Sequence, residues 1–325
     1  MAVSSRVSRN YVYAAYNAAP ADLAATPEAE AAWYGRLRSE PLISGLELAF
    51  AGTLHPHGTA RLAELLAPQW SSVISTVPVT MVRLAADETY GLASVSKHGR
   101  AAAITDVLQL CAGVAQLRDR LGETVVRAIA LLSAPRANPG QSSWAFLADS
   151  LAEIASWDWG DAALCLEHAD AMRPHHAPEK GFLNLQDEIR AVQAARERTA
   201  RPIEQTINWG RSAIETRSAT GPDAHCSELV ASGTLGGLMI SGAAPLATDA
   251  SRAWEDAHLP MTEIEPASIL GRAQLQNTLS VVGDGPIRYL GVKVGSPAGA
   301  DRLEVRLAPG LAALGALHEL RLRRG

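Results

Sequence analysis

Alternation along the chain constrains its fold more than any other feature. Eight short apolar runs with strand character recur over the whole length: Tyr11–Tyr16, Gly45–Phe50, Val73–Val77, Val126–Ser133, Ala163–His168, Ile203–Asn208, Gly237–Ser241 and Tyr289–Val294. Helical spacing fills the intervals. Ile104, Val107, Leu108, Cys111 and Val114 share one face; Trp144, Leu147, Leu151 and Ile154 share another, with Ser142 or Ser143 as its cap. Leu185, Ile189 and Val192 follow a capping Asn184, and Leu311, Leu314 and Leu317 follow Pro309-Gly310, which predicts a closing helix starting there. Eight strand–helix alternations without a long linker predict an α/β chain, a (β/α)8 TIM barrel with one domain over 1–325. An open doubly wound sheet is the rival, but no Gly-x-Gly-x-x-Gly follows the first run. The stretch 249–285 is long for one connection and predicts inserted helices over the barrel mouth.

Strands put successive side chains on opposite faces, and in a barrel one face meets a dry helix layer. A charged residue between two apolar ones in mid-strand therefore points into the lumen. Glu47 lies between Leu46 and Leu48, Glu167 follows Leu164 and Leu166, and Lys293 lies between Val292 and Val294. Asn208 shares its side with Thr206, and Ser241 follows Leu238 and Ile240. The predicted lumen set is Glu47, Glu167, Asn208, Ser241 and Lys293. A Glu–Lys pair could plug the barrel, but two carboxylates, an ammonium and an amide exceed what packing requires, because buried charge is costly. The set reads as a ligand site at the C-terminal face.

Composition excludes several classes. The 29 Lys and Arg against 34 Asp and Glu give a net charge of −5, with no basic run for a nucleic-acid backbone. No apolar stretch approaches a membrane span, and Met1–Asn10 is polar, without a signal core. The sparse cysteines, Cys111, Cys165 and Cys226, fit a reduced, cytoplasmic protein and show no nucleophile context. A homo-oligomer is compatible with this reading.

Two stretches are rich in functional groups. One is Glu167-His168-Ala169-Asp170-Ala171, followed by Lys180-Gly181-Phe182-Leu183; the other is Asn208-Trp209-Gly210-Arg211-Ser212-Ala213-Ile214-Glu215-Thr216-Arg217. With Tyr13-Ala14-Ala15-Tyr16, Gly45-Leu46-Glu47, Ser133-Ala134-Pro135-Arg136, Trp157-Asp158-Trp159-Gly160 and Asp256-Ala257-His258-Leu259-Pro260, the chain resembles a bacterial family of uncharacterised proteins within the xylose-isomerase-like TIM-barrel superfamily. The resemblance implies sugar isomerase or epimerase chemistry, with a zinc endonuclease branch as a second possibility. It also implies a divalent metal held by carboxylates and histidine at late strand ends. Only Glu167 keeps an expected ligand type; Asn208, Ser241 and Lys293 stand where carboxylate, His and Glu are usual.

No metal is therefore favoured. Lys293 is expected to supply the positive charge, Glu167 to act as acid or base, Asn208 to orient a hydroxyl, and Glu47 and His258 to assist. The alternative is a shifted divalent-metal site from Glu167, His168 or Asp170 with Asp256 and His258. Arg211, Arg217, Lys180, His168, Asp170, Glu215 and Ser241 are expected to bind substrate, a small carbohydrate or sugar acid. If helical, Arg211 and Glu215 can pair across one turn. The rival functions are a metal-assisted hydrolase and a non-catalytic carbohydrate-binding barrel. His55, His57, His175 and His176 read as surface loop histidines, His225 as a helix-start residue, and Trp157, Trp159 and Trp209 as either sugar platforms or core.

Overall fold

In the computed structural model, which describes residues 11–138, 140–248 and 251–323, eight parallel strands close into a barrel in sequence order. β1 (Tyr11–Tyr13) precedes α1 (Ala15–Ala18) and α2 (Pro27–Arg38). β2 (Ile43–Ala49) precedes α3 (Thr59–Leu65), and β3 (Ser72–Ser75) precedes α4 (Val77–Ala86) and α5 (Lys97–Leu121). Then come β4 (Val126–Leu131) with α6 (Trp144–Ala155) and β5 (Ala163–His168) with α7 (Leu185–Arg196). β6 (Ile203–Asn208) carries α8 (Trp209–Thr216) and α9 (Gly221–Ala231), β7 (Leu235–Ile240) carries α10 (Arg272–Val282), and β8 (Tyr289–Val292) carries α11 (Leu303–Leu322). The fold is a (β/α)8 TIM barrel. Met1–Asn10, read above for signal character, lies outside the described residues.

Each expected strand overlaps an observed one, and the caps are chemical. Ser143 Oγ accepts from Ala145 N at the start of α6, and Asn184 accepts from Asp187 N at the start of α7. The closing helix differs from expectation. It begins at Leu303, and Pro309 lies inside it. Leu307, Pro309 and Gly310 are all buried, so packing of this extra turn outweighs the hydrogen bond that proline removes.

The stretch 249–285 holds one helix among its described residues, α10, packed beside α9 and α11 in the outer ring. Residues 251–271 run as turns past the ends of β7 and β8, where Leu259 pairs with Gly242 and the His258 carbonyl accepts from Gly295 N. No described helix is long and apolar enough to cross a membrane.

The lumen is filled low down by small residues and two large ones. Val12, Val73, Ala128, Ala130, Ala163, Cys165, Met239 and Tyr289 form one buried cluster. The Tyr289 hydroxyl bonds Thr206 Oγ1 at 2.7 Å, and a Cβ on Gly237 would meet the Tyr289 ring at 2.7 Å, so only glycine leaves space for it. Above this plug the lumen becomes polar.

Candidate functional site

The five residues assigned to the lumen by alternation meet there, all nearly fully buried. Lys293 Nζ donates to Glu47 Oε1 at 2.7 Å and lies 3.9 Å from Glu167 Oε1. Asn208 Nδ2 donates to the same Glu167 oxygen at 3.4 Å, and Ser241 Oγ donates to Asn208 Oδ1 at 2.9 Å. Asn208 Oδ1 also caps α8 by accepting from Arg211 N at 3.3 Å. Gly210 lets α8 start this close to β7, since a Cβ there would lie 2.6 Å from Ser241 Oγ.

Arg211 extends the set. Its Nη1 donates to Glu167 Oε1 at 2.7 Å and its Nε to Asp256 Oδ2 at 2.9 Å. Lys180 Nζ holds that same Asp256 oxygen from the other side. A single path thus runs Glu47, Lys293, Glu167, Arg211, Asp256, Lys180, with carboxylates and cations strictly alternating. Tyr16 donates to Glu47 Oε1 at 3.2 Å, and its ring lies 5.4 Å from the Lys293 ammonium.

Electrostatics follow from this pairing. Burial alone would raise the Glu167 carboxyl, but Lys293 and Arg211 outweigh it and hold the group below the ordinary carboxylate range. Burial also opposes charge on Lys293, yet Glu167 and Glu47 raise it above an ordinary lysine, so it is an ammonium. His258 is pushed down to about 3 by burial, with Lys293, Arg211 and Lys180 reinforcing that shift and Asp256 opposing it. It is therefore a neutral imidazole. Two buried polar atoms beside this path make no hydrogen bond: Glu47 Oε2, and His258 Nδ1, which lies 3.5 Å from Asp256 Oδ1.

Cavities flank the path at both ends. Glu47 and Tyr16 line one of about 230 Å³ with Trp33, Tyr34, Leu54 and His55. Lys180 lines another of about 240 Å³ with Met81, Leu84, Phe182, Arg136 and Gln141.

Other expected site residues belong elsewhere. His168 follows Glu167 and so points to the helix layer, where Nδ1 meets Glu188 Oε2 at 2.7 Å and Nε2 meets Glu215 Oε2 at 2.8 Å. Both ring nitrogens face carboxylates, so the proton belongs to the imidazole. Burial alone would lower His168, but Glu188 and Glu215 raise it to about 10. Glu215 does not pair with Arg211 across the helix turn. It takes His168, Ala171 N at 2.9 Å and Arg173, while the long Arg211 side chain reaches two lumen-side carboxylates.

Asp170 accepts Lys180 N at 3.0 Å with both oxygens and so shapes the loop carrying Lys180, rather than facing the path itself. Arg217 caps α8 in a left-handed conformation (φ 50°), over the Trp254 ring at 5.1 Å. His55 is buried, not a surface histidine, and bonds Glu30 at 2.7 Å. Trp159 and Trp209 are fully buried, donating to Ile154 O and Thr278 Oγ1, and are core. Tyr16, Glu188 and Arg173 were missed, although Glu188 sits on the buried face of α7 next to Ile189, where a carboxylate is anomalous.

A divalent cation fits neither cluster. In the lumen, the Lys293 ammonium and Arg211 guanidinium already compensate Glu47 and Glu167 and offer no lone pair. In the helix layer, ligand atoms of His168, Glu215 and His225 lie within 4.8 Å of one another. There His168 has both nitrogens engaged and Glu215 has its oxygens taken by His168, Ala171 N and Arg173, so a metal would have to displace an existing ion pair.

Solved structures share the architecture at low identity. A provisionally named xylose isomerase of Rhodospirillum rubrum is 13% identical over 95% of this chain and 98% of that one, with TM-score 0.61. A D-psicose 3-epimerase from Clostridium cellulolyticum H10, solved with D-tagatose, is 13% identical over 90% of this chain and 93% of that one, with TM-score 0.52. These likenesses show the fold. An uncharacterised protein of Salmonella typhimurium strain LT2 is 32% identical over 288 residues, 87% of this chain and 89% of the relative. With a family model matching residues 12–308, the chain belongs to the family described as Domain of unknown function (DUF4862).

Proposed function

We propose that the chain is a sugar or sugar-acid isomerase or epimerase that moves a proton at the C-terminal face of the barrel. The observation that carries the reading is the pair of buried atoms without a hydrogen bond, Glu47 Oε2 and His258 Nδ1, beside the charged path. An orphaned buried acceptor costs about 1–3 kcal/mol, which a ligand hydroxyl at this charged path would recover. A polyhydroxylated ligand brings hydroxyls that donate to Glu47 Oε2 and that donate to or accept from His258 Nδ1 according to its tautomer.

Glu167 is ionised and acts as the base. It removes the proton from the carbon beside a substrate carbonyl; the C–H electron pair forms the C=C bond of an enediolate. Lys293 and Arg211, already placed around Glu167, stabilise the developing oxyanion in a dry site. In isomerisation Glu167 returns the proton to the neighbouring carbon while the hydroxyl proton passes between the two enediolate oxygens; in epimerisation a second acid, for which Glu47 across Lys293 is the candidate, delivers a proton to the opposite face of the same carbon. The weak basicity imposed by the two cations is relieved when substrate draws Arg211 toward itself. Asn208, fixed by Ser241 and Glu167, orients a hydroxyl.

Proton exchange in D₂O, followed by NMR over a panel of aldoses, ketoses and aldonic and uronic acids, tests this reading. Glu167→Gln is expected to lose about 10²–10⁴-fold of the exchange rate, and because it also removes the carboxylate facing Lys293 and Arg211, the rates are compared at a temperature where circular dichroism shows both proteins folded. Undiminished exchange in that variant removes Glu167 from the role. A non-catalytic carbohydrate-binding barrel is the second reading, favoured by the full pairing of the charges along the path. Binding without exchange selects it.

A further inference from the structure

Asp256 is an odd member of the path. The other carboxylates come from barrel strands, but Asp256 comes from a loop and lies where two buried cations converge. The loop is anchored on both sides. Trp254 N donates to Ala244 O at 2.7 Å, the His258 carbonyl accepts from Gly295 N at 2.9 Å, and Leu259 and Gly242 exchange backbone bonds. Both anchoring residues adopt left-handed backbone, Trp254 at φ 56° and His258 at φ 52°, which non-glycine residues rarely do. Between them, Asp256 and Ala257 make no backbone hydrogen bond among the described residues. The Asp256 carboxylate thus meets Arg211 and Lys180 from a short bridge in which Glu255 N bonds Arg252 O at 3.3 Å but Asp256 and Ala257 themselves are not held by backbone bonds among the described residues.

Lys180 also belongs to the neighbouring cavity of about 240 Å³, whose wall combines Phe182, Leu84 and Met81 with the cation Arg136 and the carboxylates Glu88 and Glu179. A ligand in that cavity would reach Lys180 directly, and Arg211 lies beyond it on the same Asp256 oxygen. We propose that Asp256 occupies the place of an anionic substrate group, and that a carboxylate or phosphate on the substrate displaces it from Arg211 and Lys180. The inference rests on reading the path as a substrate site and narrows the substrate class from sugars at large to acidic ones. It also explains the loop: the bridge moves aside as the anion arrives and frees Arg211 to shift from Glu167.

Displacement predicts competition. A site whose cations are held by an internal carboxylate most of the time binds an external anion more weakly, in proportion to the free fraction. The test is isothermal titration of wild type and Asp256→Asn with D-gluconate, D-glucose 6-phosphate and neutral D-glucitol. At least one of the two anions is expected to bind Asp256→Asn at least about tenfold more tightly than wild type, whereas D-glucitol shows no such gain. Preference between the two anions identifies carboxylate or phosphate.

Hydrogen exchange on wild type reads the same event without a variant. Saturating anion is expected to speed exchange of the Trp254 and Leu259 amides, which hold the loop to Ala244 and Gly242. Equal or weaker anion binding by Asp256→Asn, or slower exchange of those amides with ligand, overturns the proposal. Both measurements read binding alone, so anion displacement without proton exchange refutes the catalytic reading and leaves this one standing.

Discussion

Lys293 holds a demanding position, a cation almost wholly buried in the barrel. An ammonium buried to this degree survives only because Glu47 and Glu167 face it, at 2.7 and 3.9 Å. Lys293→Met removes the cation that pairs with Glu47 and leaves a carboxylate stranded in a dry lumen. A loss of about 3–5 kcal/mol in denaturant unfolding is expected, as when one partner of a buried pair is deleted. The double variant Lys293→Met with Glu47→Leu should recover much of that loss, because no uncompensated charge remains at that end. Failure of the second change to recover stability would show that the two groups are not coupled. This residue was legible in the sequence, since Val292 and Val294 fix its side of the strand. Asp256 was not placed by any such pattern. It lies on a loop with no periodicity, so its meeting with Arg211 and Lys180 came from loop geometry alone.

At the scale of elements, the short α8 ties the two polar clusters together. Its first turn sends Arg211 to the lumen, and its last turn sends Glu215 to His168 in the helix layer. Sequence spacing suggested that these two residues pair with each other. They do not, because their side chains leave the helix toward different sides, Arg211 to Glu167 and Asp256, Glu215 to His168 and Arg173. The position of α8 depends on its close approach to β7 at Gly210. Gly210→Ala puts a Cβ about 2.6 Å from Ser241 Oγ and 3.1 Å from the Ser241 carbonyl. The helix must move by a few tenths of an ångström, with an expected cost of about 1–3 kcal/mol. Because the helix carries Arg211, proton exchange or ligand affinity should fall more than stability alone explains. A variant with reduced stability and unchanged ligand binding would show that Arg211 does not depend on this contact.

For the whole molecule, buried histidines of opposite kind set the pH response. His258 and His225 sit at about 3 in the fold, chiefly through burial, against an ordinary value of 6.5. Between those values the unfolded chain binds protons that the folded chain refuses, so stability falls as pH drops below about 6.5. His168 is reversed. Held at about 10 between Glu188 and Glu215, it keeps its proton in the fold while the unfolded chain gives it up above 6.5. Its contribution is complete below about 6.5 and is lost as pH rises toward 10. Guanidinium unfolding at pH 5, 6.5 and 9 should therefore show greatest stability near 6.5. His168→Gln should flatten the alkaline limb and leave the acid limb in place; an unchanged alkaline limb would remove His168 as its source.

The sequence by itself determined the barrel, its eight strands and five polar residues that enter the lumen, because period-two alternation against a dry helix layer leaves a charged strand residue one direction to point. Tertiary structure decided which charges touch, how a loop carboxylate closes the path and where His168 finds its partners. Those contacts join groups dozens to hundreds of residues apart, and only the closing of the barrel and the course of its loops bring them within a hydrogen bond of one another.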